Sequence, residues 1–263
     1  MTDTIHPEPS PVPEIRKVTL GMLRDALRRG LRDFKAAPRF GIFFAGVYVL
    51  GGLLMAWVTL RTGQSYWLVL AAFGFPLLGP FAAIGLYEVS RRLDSGEPLS
   101  WRAVLGVVYR QKDRQIPSIC AIIVLIFLFW FFIAHMIFAL FLGLSAMVNV
   151  SSSYGVFMTT NGVLMLCVGS AVGAALAFLI FAITVTGLPM LLSLEIDFVT
   201  AMLVSIRSVT QSPGVMLVWG GSIAILLFIG MLPLFLGLIV VLPVLGHATW
   251  HLYQAVLPAE SQG

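Results

Sequence analysis

The chain alternates between long apolar runs and short polar segments, and the runs have the length of membrane spans. A transmembrane helix needs about 20 mostly apolar residues, and six stretches reach that length. These stretches lie near residues 40–60, 66–90, 117–145, 162–192, 214–231 and 233–255. The pattern predicts an all-α, polytopic transmembrane helix bundle of about six spans over residues 38–257. Because only Pro233 and its neighbours separate the last two runs, five spans are the main alternative.

The residues before the first run divide into two parts. Residues 1–14 contain four prolines and few apolar groups, so we expect a disordered tail there. A second short tail is expected at 258–263. Over 15–37, apolar residues recur at helical spacing and arginines occupy the other faces. This pattern is typical of a cytoplasmic amphipathic helix that lies among the lipid headgroups.

Three predicted helix starts resemble one another. Residues 25–38 align without gaps to 200–213, and 100–117 repeats the arrangement loosely, beginning with a capping serine. Each of the three segments ends on a proline, which suits the first turn of a following helix. The second, fourth and sixth apolar runs also share an internal proline. We therefore predict three helix-hairpin repeats, each preceded by a cytoplasmic amphipathic helix.

Composition and charge placement give the compartment and the orientation. A hydrophobic content of 59% and a mean hydropathy of +0.97 exclude a soluble globular domain. Of the 16 lysines and arginines, all but Arg61 lie in 15–39, 91–116 or 193–213. Short cytoplasmic loops retain basic residues. The distribution predicts a multi-pass protein of a bacterial inner membrane with both termini in the cytoplasm.

The same basic residues also indicate which partners to expect. The formal net charge is +4, but the bases flank the predicted spans, where anionic lipid headgroups attract them. We therefore expect residues 15–39 and 91–116 to contact anionic membrane lipids. Nucleic acid is not an expected partner.

One group of side chains at the ends of the runs could form a functional site. His247 and His251 are four residues apart and share a helix face, while Glu88, Glu195 and Asp197 lie at equivalent ends of the other even-numbered runs. A zinc site needs three or four protein ligands, and we predict no metal here. We expect a polar cluster in which a carboxylate is hydrogen-bonded to a histidine. Alternatively, the histidines anchor the helix among lipid headgroups.

Two features lie inside the apolar runs. His135 is surrounded by FFIAHMIFAL, and an ionisable group there should face the protein interior or a polar cavity. It could ligate haem iron or remain neutral and hydrogen-bond a neighbouring helix.

Gly169, Gly173 and Ala177 form a ladder of small residues that lets helices approach closely. This ladder predicts packing within the chain or a dimer face.

Signatures of catalysis and of ion coupling are lacking. The middle of each predicted span contains no Asp, Glu, Lys or Arg, although ion-coupled transporters usually need such charges. The sequence has no glycine-rich phosphate loop, nucleophile elbow or metalloprotease helix. We predict that the protein is not an enzyme and holds no cofactor.

The stretch PMLLSLEIDFVTAMLVSIRSVTQSPGVMLVWG (189–220), followed by VVLPVLGHATWHLYQAVL (240–257), resembles a family of predicted bacterial integral membrane proteins of unknown function. Some members of that family are labelled as cytochrome c oxidase subunits. A haem–copper catalytic subunit would need about six histidine ligands, whereas this chain has four histidines, one of them in 1–14. The resemblance implies a membrane location and leaves an accessory or assembly role open.

The leading functional hypothesis is a non-catalytic scaffold, accessory subunit or assembly factor of an envelope complex, and the resemblance points to a respiratory one. Its partner would be another membrane protein or a second copy of the chain. A small transporter or lipid-interacting permease is the alternative, with Glu88, His135, His247 and His251 lining its cavity. A haem- or copper-binding redox membrane protein is the third hypothesis.

Overall fold

The computed structural model describes residues 14–63, 68–143 and 154–257, and every regular element in these ranges is a helix. Apart from Glu14, the predicted tails 1–14 and 258–263 lie outside the described residues. The helices are α1 (Leu20–Ala36), α2 (Pro38–Thr62), α3 (Leu68–Ser95), α4 (Trp101–Arg110), α5 (Ile116–Leu142), α6 (Thr160–Thr184), α7 (Gly187–Ser193), α8 (Phe198–Gln211), α9 (Pro213–Met231) and α10 (Leu238–Val256). Short 3-10 turns occur at Gln111–Asp113 and Tyr154–Met158.

Several helices start at the sequence markers noted above. Pro38 and Pro213 are the first residues of α2 and α9, and Pro117 is the second residue of α5. Proline fits there because the first turn of a helix does not use its backbone N–H groups. Ser100 caps α4, accepting a hydrogen bond from the backbone N–H of Ala103. The threefold repeat itself stays a prediction.

The apolar run near 162–192 is interrupted. Helix α6 ends at Thr184 and α7 begins at Gly187, with a turn at residues 185–186. Pro189 explains the position of this break, because a proline inside a continuous helix would remove a hydrogen bond and clash with the carbonyl four residues earlier. The break places Pro189 in the first turn of α7, where neither cost arises.

The last two runs form two separate helices joined by a tight reversal. Helix α9 ends at Met231, α10 begins at Leu238, and the two helices pack against each other. Between them, Leu234 and Phe235 have φ angles of 51° and 64°, in the left-handed region that few non-glycine residues adopt. This reversal supplies the turn that the sequence marks only by Pro233.

Among the described residues, four segments are long and apolar enough to cross a membrane: Pro38–Thr62, Ile116–Leu142, Thr160–Ser193 and Pro213–Met231. Neither α3 nor α10 is in this set, although spans are predicted near 66–90 and 233–255. The second half of α10 contains His247, His251 and Gln254, which lower its hydropathy. In α3, the side chains of residues 68–73 are outside the description. The count of six spans therefore stays a prediction.

The chain divides into two compact units, Met1–Ala121 with Ala182–Gly263, and Ile122–Phe181. In the described part of the first unit, α10 is central and contacts α1, α2, α3, α7 and α9. An apolar cluster joins α2 to α3 and α4; its most buried members are Phe40, Phe44, Leu86, Val89 and Val104. This cluster fixes the end of α3, whose polar residues form the sites described below.

Helix α1 lies directly against α10. A Cβ atom on Gly30 would lie 2.5 Å from the carbonyl oxygen of Val244 and 2.7 Å from the backbone nitrogen of Ala248, so only glycine allows this approach. Leu23 and Ala26 are buried on the same side of α1. The predicted amphipathic helix therefore buries one face against its own chain, while its arginines stay at the surface.

The second unit, Ile122–Phe181, comprises most of α5 together with α6. Its sequence contains no Asp, Glu, Lys or Arg. The apolar segment Thr160–Ser193, which includes α6, has only 6% of its most apolar window buried. The described helices of this unit thus offer an uncharged surface on which few residues are fully buried.

Candidate functional site: two polar clusters beside α3

The C-terminal part of α3 presents polar side chains on two of its faces. Ser90 and Asp94 are four residues apart and share one face. Glu88, Arg91 and Arg92, spaced by three and four residues, share another face, and Glu88 accepts hydrogen bonds from both arginines. The first face contributes to a cluster with α1 and α10, and the second lines a cavity beside α4 and α5.

We call the first group the histidine cluster; it consists of Arg32, Asp33, Ser90, Asp94, His247 and His251. Its shortest contact joins the Nε2 atom of His251 to the Oδ2 atom of Asp33 at 2.6 Å. Both side chains are 1% exposed. The Nδ1 atom of His251 also lies 3.5 Å from a carboxylate oxygen of Asp94. A carboxylate therefore does lie within hydrogen-bonding distance of a histidine, but it comes from α1.

His247 is held through the hydroxyl group of Ser90. The Nδ1 atom of His247 and the Oγ atom of Ser90 are 2.8 Å apart, and both residues are fully buried. The Ser90 hydroxyl group also stabilises the charge of Asp33, so one hydroxyl links α3, α10 and α1. Arg32 closes the cluster at the surface, with contacts of 3.1 Å to Asp33 and 3.4 Å to Asp94.

The ionisation of Asp33 follows from these contacts. Burial alone would raise the pKa of this carboxyl group. The hydrogen bond and the charge of His251, together with the hydrogen bonds from Ser90 and Arg32, outweigh burial and hold the pKa of Asp33 below its ordinary value. Asp33 is therefore a carboxylate at neutral pH, and it stabilises the contact between α1 and α10.

The histidine cluster contains serine, histidine and aspartate but lacks the geometry of a catalytic triad. In a triad, one imidazole contacts the serine through one nitrogen and the aspartate through the other. Here Ser90 contacts His247, whereas Asp33 contacts His251. The Ser90 hydroxyl is also closed off from solvent. The arrangement is suited to holding helices together.

Glu88 belongs to a second group of charges. Its carboxylate accepts hydrogen bonds from Arg91 at 2.8 and 3.0 Å and from Arg92 at 2.6 Å, and its side chain is 1% exposed. Glu97, in the segment after α3, pairs with the same two arginines. A buried carboxylate is costly unless it is paired and hydrogen-bonded, and the two guanidinium groups satisfy Glu88 fully.

These arginines line an open cavity of about 470 Å³, which we call the arginine cavity. It lies where the end of α3 meets the connection between α4 and α5 and the end of α7. Its lining residues are Glu88, Arg91, Arg92, Val107, Arg110, Gln111, Arg114 and Leu192. The cavity thus has four guanidinium groups in its wall and one carboxylate.

The residues of the predicted polar cluster lie at separate places in the structure. His247 and His251 lie in the histidine cluster, and Glu88 lies in the arginine cavity. Glu195 forms an ion pair with Arg114. Asp197 caps α8, accepting hydrogen bonds from the backbone N–H groups of its second and third following residues. Glu88, Glu195 and Asp197 therefore bond arginines or backbone, and no described contact joins them to the histidines.

Sequence reasoning missed Asp33, Ser90 and Asp94. Asp33 follows Ala26 and Gly30 at helical spacing, so the period that defines the buried face of α1 includes it. The helical pattern places the arginines of α1 on its outer faces, and no local signal distinguishes Asp33 from Asp25. What identifies Asp33 is its pairing with His251, which is 218 positions away in the chain.

His135 lies on α5, away from both clusters. Its ring is exposed, and its Nδ1–H group donates a hydrogen bond of 2.7 Å to the carbonyl oxygen of Phe131, one turn earlier. The ring also lies against the Phe131 ring, with centroids 4.2 Å apart. The expectation that His135 faces the interior is thus not met in the structure, since the ring is exposed, and the carbonyl group of Phe131 supplies one hydrogen-bond partner.

The small-residue ladder of α6 is used at one position. A Cβ atom on Gly173 would lie 3.2 Å from the indole nitrogen of Trp130, so this glycine lets the Trp130 ring approach α6. Around Gly169 there is open space, and Ala177 is exposed. Of the three small residues, Gly173 therefore packs within the second unit, and Gly169 and Ala177 remain uncovered.

The described residues contain no group of three or more His, Cys, Asp or Glu side chains placed to hold a metal ion. Cys120, in the first unit, is buried, and Cys167, on α6, is exposed; both are free thiols. The exposed thiol provides a natural position for labelling the second unit.

Comparison with known proteins supports the membrane assignment. Residues 68–193, from α3 to α7, match the model of a family described as predicted integral membrane protein (DUF2189). The chain is a multi-pass integral membrane protein. The matched segment includes Glu88 and the whole second unit, whereas most of the stretches that carry the sequence resemblance, 189–220 and 240–257, lie beyond it. No curated protein and no solved structure matches the chain.

Proposed function

We propose that the protein is a non-catalytic scaffold, accessory subunit or assembly factor that binds another membrane protein through the second unit. The observation that carries the proposal is the surface of α6, which has open space at Gly169 and an exposed small residue at Ala177. Small residues at such positions let a second helix come close enough for backbone packing. The partner surface is therefore α6, centred on Gly169 and Ala177.

The absence of charge in the second unit defines the kind of partner. Its 60 residues, Ile122–Phe181, include no Asp, Glu, Lys or Arg, so ion pairs cannot provide specificity. Association in lipid then depends on shape, close packing and hydrogen bonds. The partner is accordingly a transmembrane helix, from another protein of the complex or from a second copy of this chain.

The polar groups of the first unit favour a structural role over catalysis. Asp33, Glu88 and His251 are each engaged by neighbouring side chains, and Ser90 is closed off from solvent. We place both termini in the cytoplasm of a bacterial inner membrane, on the strength of the asymmetry of the basic residues. The sequence resemblance to proteins labelled as cytochrome c oxidase subunits makes a respiratory complex the first partner to test.

Crosslinking at α6 tests this proposal in native membranes. The variant Gly169→Cys, made with Cys167→Ser to remove the natural thiol, places a reactive group at the open position. Gly221→Cys on α9, which also has open space around it, is the matched control in the same background. We expect one defined crosslinked species from the residue 169 thiol and none from the residue 221 thiol.

The mass of the crosslinked species distinguishes a second copy of this chain from a different protein. A bulky Gly169→Ile substitution should abolish co-purification of the partner in mild detergent, whereas Gly221→Ile should preserve it. Equal co-purification with both variants would exclude α6 as the binding surface.

A lipid-interacting permease is the second candidate, and one observation favours it. An apolar cavity of about 300 Å³ lies among α2, α3, α9 and α10, with Tyr48 and Thr249 as polar lining residues. Such a cavity could hold part of an acyl chain. Proteoliposomes tested for lipid exchange between leaflets would support this role if exchange is lost in a variant that fills the cavity, such as Ala82→Phe, and retained with Ala36→Phe on the exposed end of α1.

A further inference from the structure

We propose that the arginine cavity binds the phosphate group of a phosphate ester that also carries a free hydroxyl group. This site is in the first unit and is independent of the partner surface on α6. The inference rests on a surplus of positive charge, on a buried and unpartnered acceptor, and on the size and position of the cavity.

The charge surplus is located on Arg110. Arg91 and Arg92 are paired with Glu88 and Glu97, and Arg114 is paired with Glu195. Arg110 lines the same cavity, and no ion pair or hydrogen bond of its side chain occurs among the described residues. Four guanidinium groups thus meet three carboxylates. Guanidinium groups bind phosphate oxygens through paired N–H donors, so an anion is the expected ligand.

Gln111 adds a requirement that a simple anion does not meet. Its side chain is in the cavity wall and only 2% of the residue is exposed, yet its Oε1 atom has no hydrogen-bond partner within the described structure. Buried acceptors of this kind are almost always satisfied. A fully ionised phosphate has only acceptors, whereas an ester hydroxyl can donate to Oε1. A ligand with both groups satisfies Arg110 and Gln111 together.

The size and position of the cavity agree with such a ligand. A volume of about 470 Å³ is within the roughly 300–1,000 Å³ of small-molecule sites. Val107 and Leu192 provide an apolar part of the wall. The cavity lies beside the first residues of the apolar helix α5, at the depth where lipid headgroups are expected. A phosphoglycerol lipid headgroup and a soluble phosphate ester both have the required chemistry.

Binding can be measured on the full-length protein, delipidated in a neutral detergent. The probes are phosphatidylglycerol, phosphatidylcholine and glycerol phosphate, and the readouts are the melting temperature and the Kd from titration. Phosphatidylglycerol should raise the melting temperature, because a ligand that binds only the folded state stabilises it. Phosphatidylcholine, which has a phosphate but no free hydroxyl and no net charge, should not.

Arg110→Gln and Gln111→Leu should each weaken binding about tenfold, equivalent to about 1.4 kcal/mol. Arg102→Gln is the matched control, because it removes the same charge from the same helix at an exposed residue outside the cavity. If Gln111→Leu lowers the melting temperature without ligand, Arg110→Gln decides the outcome alone, since Arg110 is exposed and its replacement should not affect folding.

Glycerol phosphate separates the two sources of the ligand. If it binds with the same dependence on Arg110, the site takes soluble phosphate esters. If only phosphatidylglycerol binds, the ligand is the lipid headgroup. Equal weakening by Arg102→Gln and Arg110→Gln would show general surface attraction and overturn the proposal. Failure of both anionic probes to bind, or equal binding of phosphatidylcholine, would also overturn it.

Discussion

Replacing Asp33 by alanine tests whether the histidine cluster fixes α1 to the rest of the first unit. The substitution removes a buried carboxylate that contacts α3, through Ser90, and α10, through His251. Alanine is compatible with the helix and introduces no new bulk. The matched control is Asp25→Ala on the same helix, because Asp25 is 67% exposed and its ion-pair partner among the described residues is the exposed Arg28.

The expected magnitude follows from the hydrogen bonds that the Asp33 carboxylate makes. The bond to His251, 2.6 Å long and buried on both sides, is charge-assisted when the imidazole is protonated, and such bonds contribute about 1.5–3 kcal/mol. The Ser90 hydroxyl group also stabilises the carboxylate, by at most about 1 kcal/mol. Arg32 adds little because its side chain is 59% exposed and its pair is open to solvent. We therefore expect Asp33→Ala to cost about 2–4 kcal/mol and Asp25→Ala less than about 1 kcal/mol.

Tryptic cleavage of α1 provides the assay, together with thermal unfolding in detergent. Arg24, Arg28 and Arg29 are exposed on α1, but a helix must open locally before a protease can cut it. A loss of about 3 kcal/mol in the docking of α1 raises the open population by roughly a hundredfold. Cleavage at these arginines should accelerate accordingly in Asp33→Ala and remain unchanged in Asp25→Ala.

Two results would refute this reasoning. Equal melting temperatures and cleavage rates for the two variants would show that the Asp33 contacts do not hold α1. A double-mutant cycle with His251→Ala should give a coupling energy of at least about 1 kcal/mol, and a coupling near zero would separate the two residues. The pH dependence gives a further check. The pKa of Asp33 is lower in the folded than in the unfolded protein, where it is about 3.9. The Asp33 carboxylate should therefore contribute its full stabilisation of the fold above about pH 4–5. This contribution is lost as the pH falls through the folded-state pKa.

Three further predictions concern packing, the histidines and topology. Gly30→Ala should lower the melting temperature, since a methyl group there meets the Val244 carbonyl. Gly21→Ala should raise it slightly, because a methyl group there makes an ordinary contact of 3.7 Å with the Thr19 hydroxyl oxygen. His247→Ala should cost about 2–4 kcal/mol, because the ring is buried and bonded, whereas His135→Ala should cost less than about 1 kcal/mol; similar losses would contradict the difference in burial. A reporter fused after the last residue should be cytoplasmic, and a periplasmic signal would exclude an even number of spans with a cytoplasmic N-terminus.

Local signals predicted much of the helical framework. Pro38 and Pro213 mark helix starts because a proline in the first turn costs no backbone hydrogen bond, although Pro243 shows that a proline can also lie inside a helix. Ser100 caps α4 for an equally local reason, since its hydroxyl group reaches an unpaired backbone N–H. These features depend on a few neighbouring residues, so the sequence is sufficient.

The candidate site was harder to predict, because it depends on which helices pack together. The spacing of Glu88 from Arg91 and Arg92 is three and four residues, which would have predicted their ion pairs. The pairing of Asp33 with His251 has no such signal. An apolar stripe on α1 is equally compatible with a lipid surface and with a protein surface. Gly30 decides between them only once Val244 and Ala248 are known to lie opposite.

The distribution of charge explains why the two units can have different roles. In α3, the helical period directs Ser90 and Asp94 to α1 and α10, and it directs Glu88 to its arginines. The carboxylates near the membrane are thus neutralised within the first unit, and no partner protein is needed to offset their burial. The second unit has no charge to neutralise. A partner bound there, as we propose, must fit the shape of α6, whereas a ligand of the arginine cavity must compete with carboxylates for arginine. Of the four arginines in that cavity, Arg110 is the one without an ion pair among the described residues.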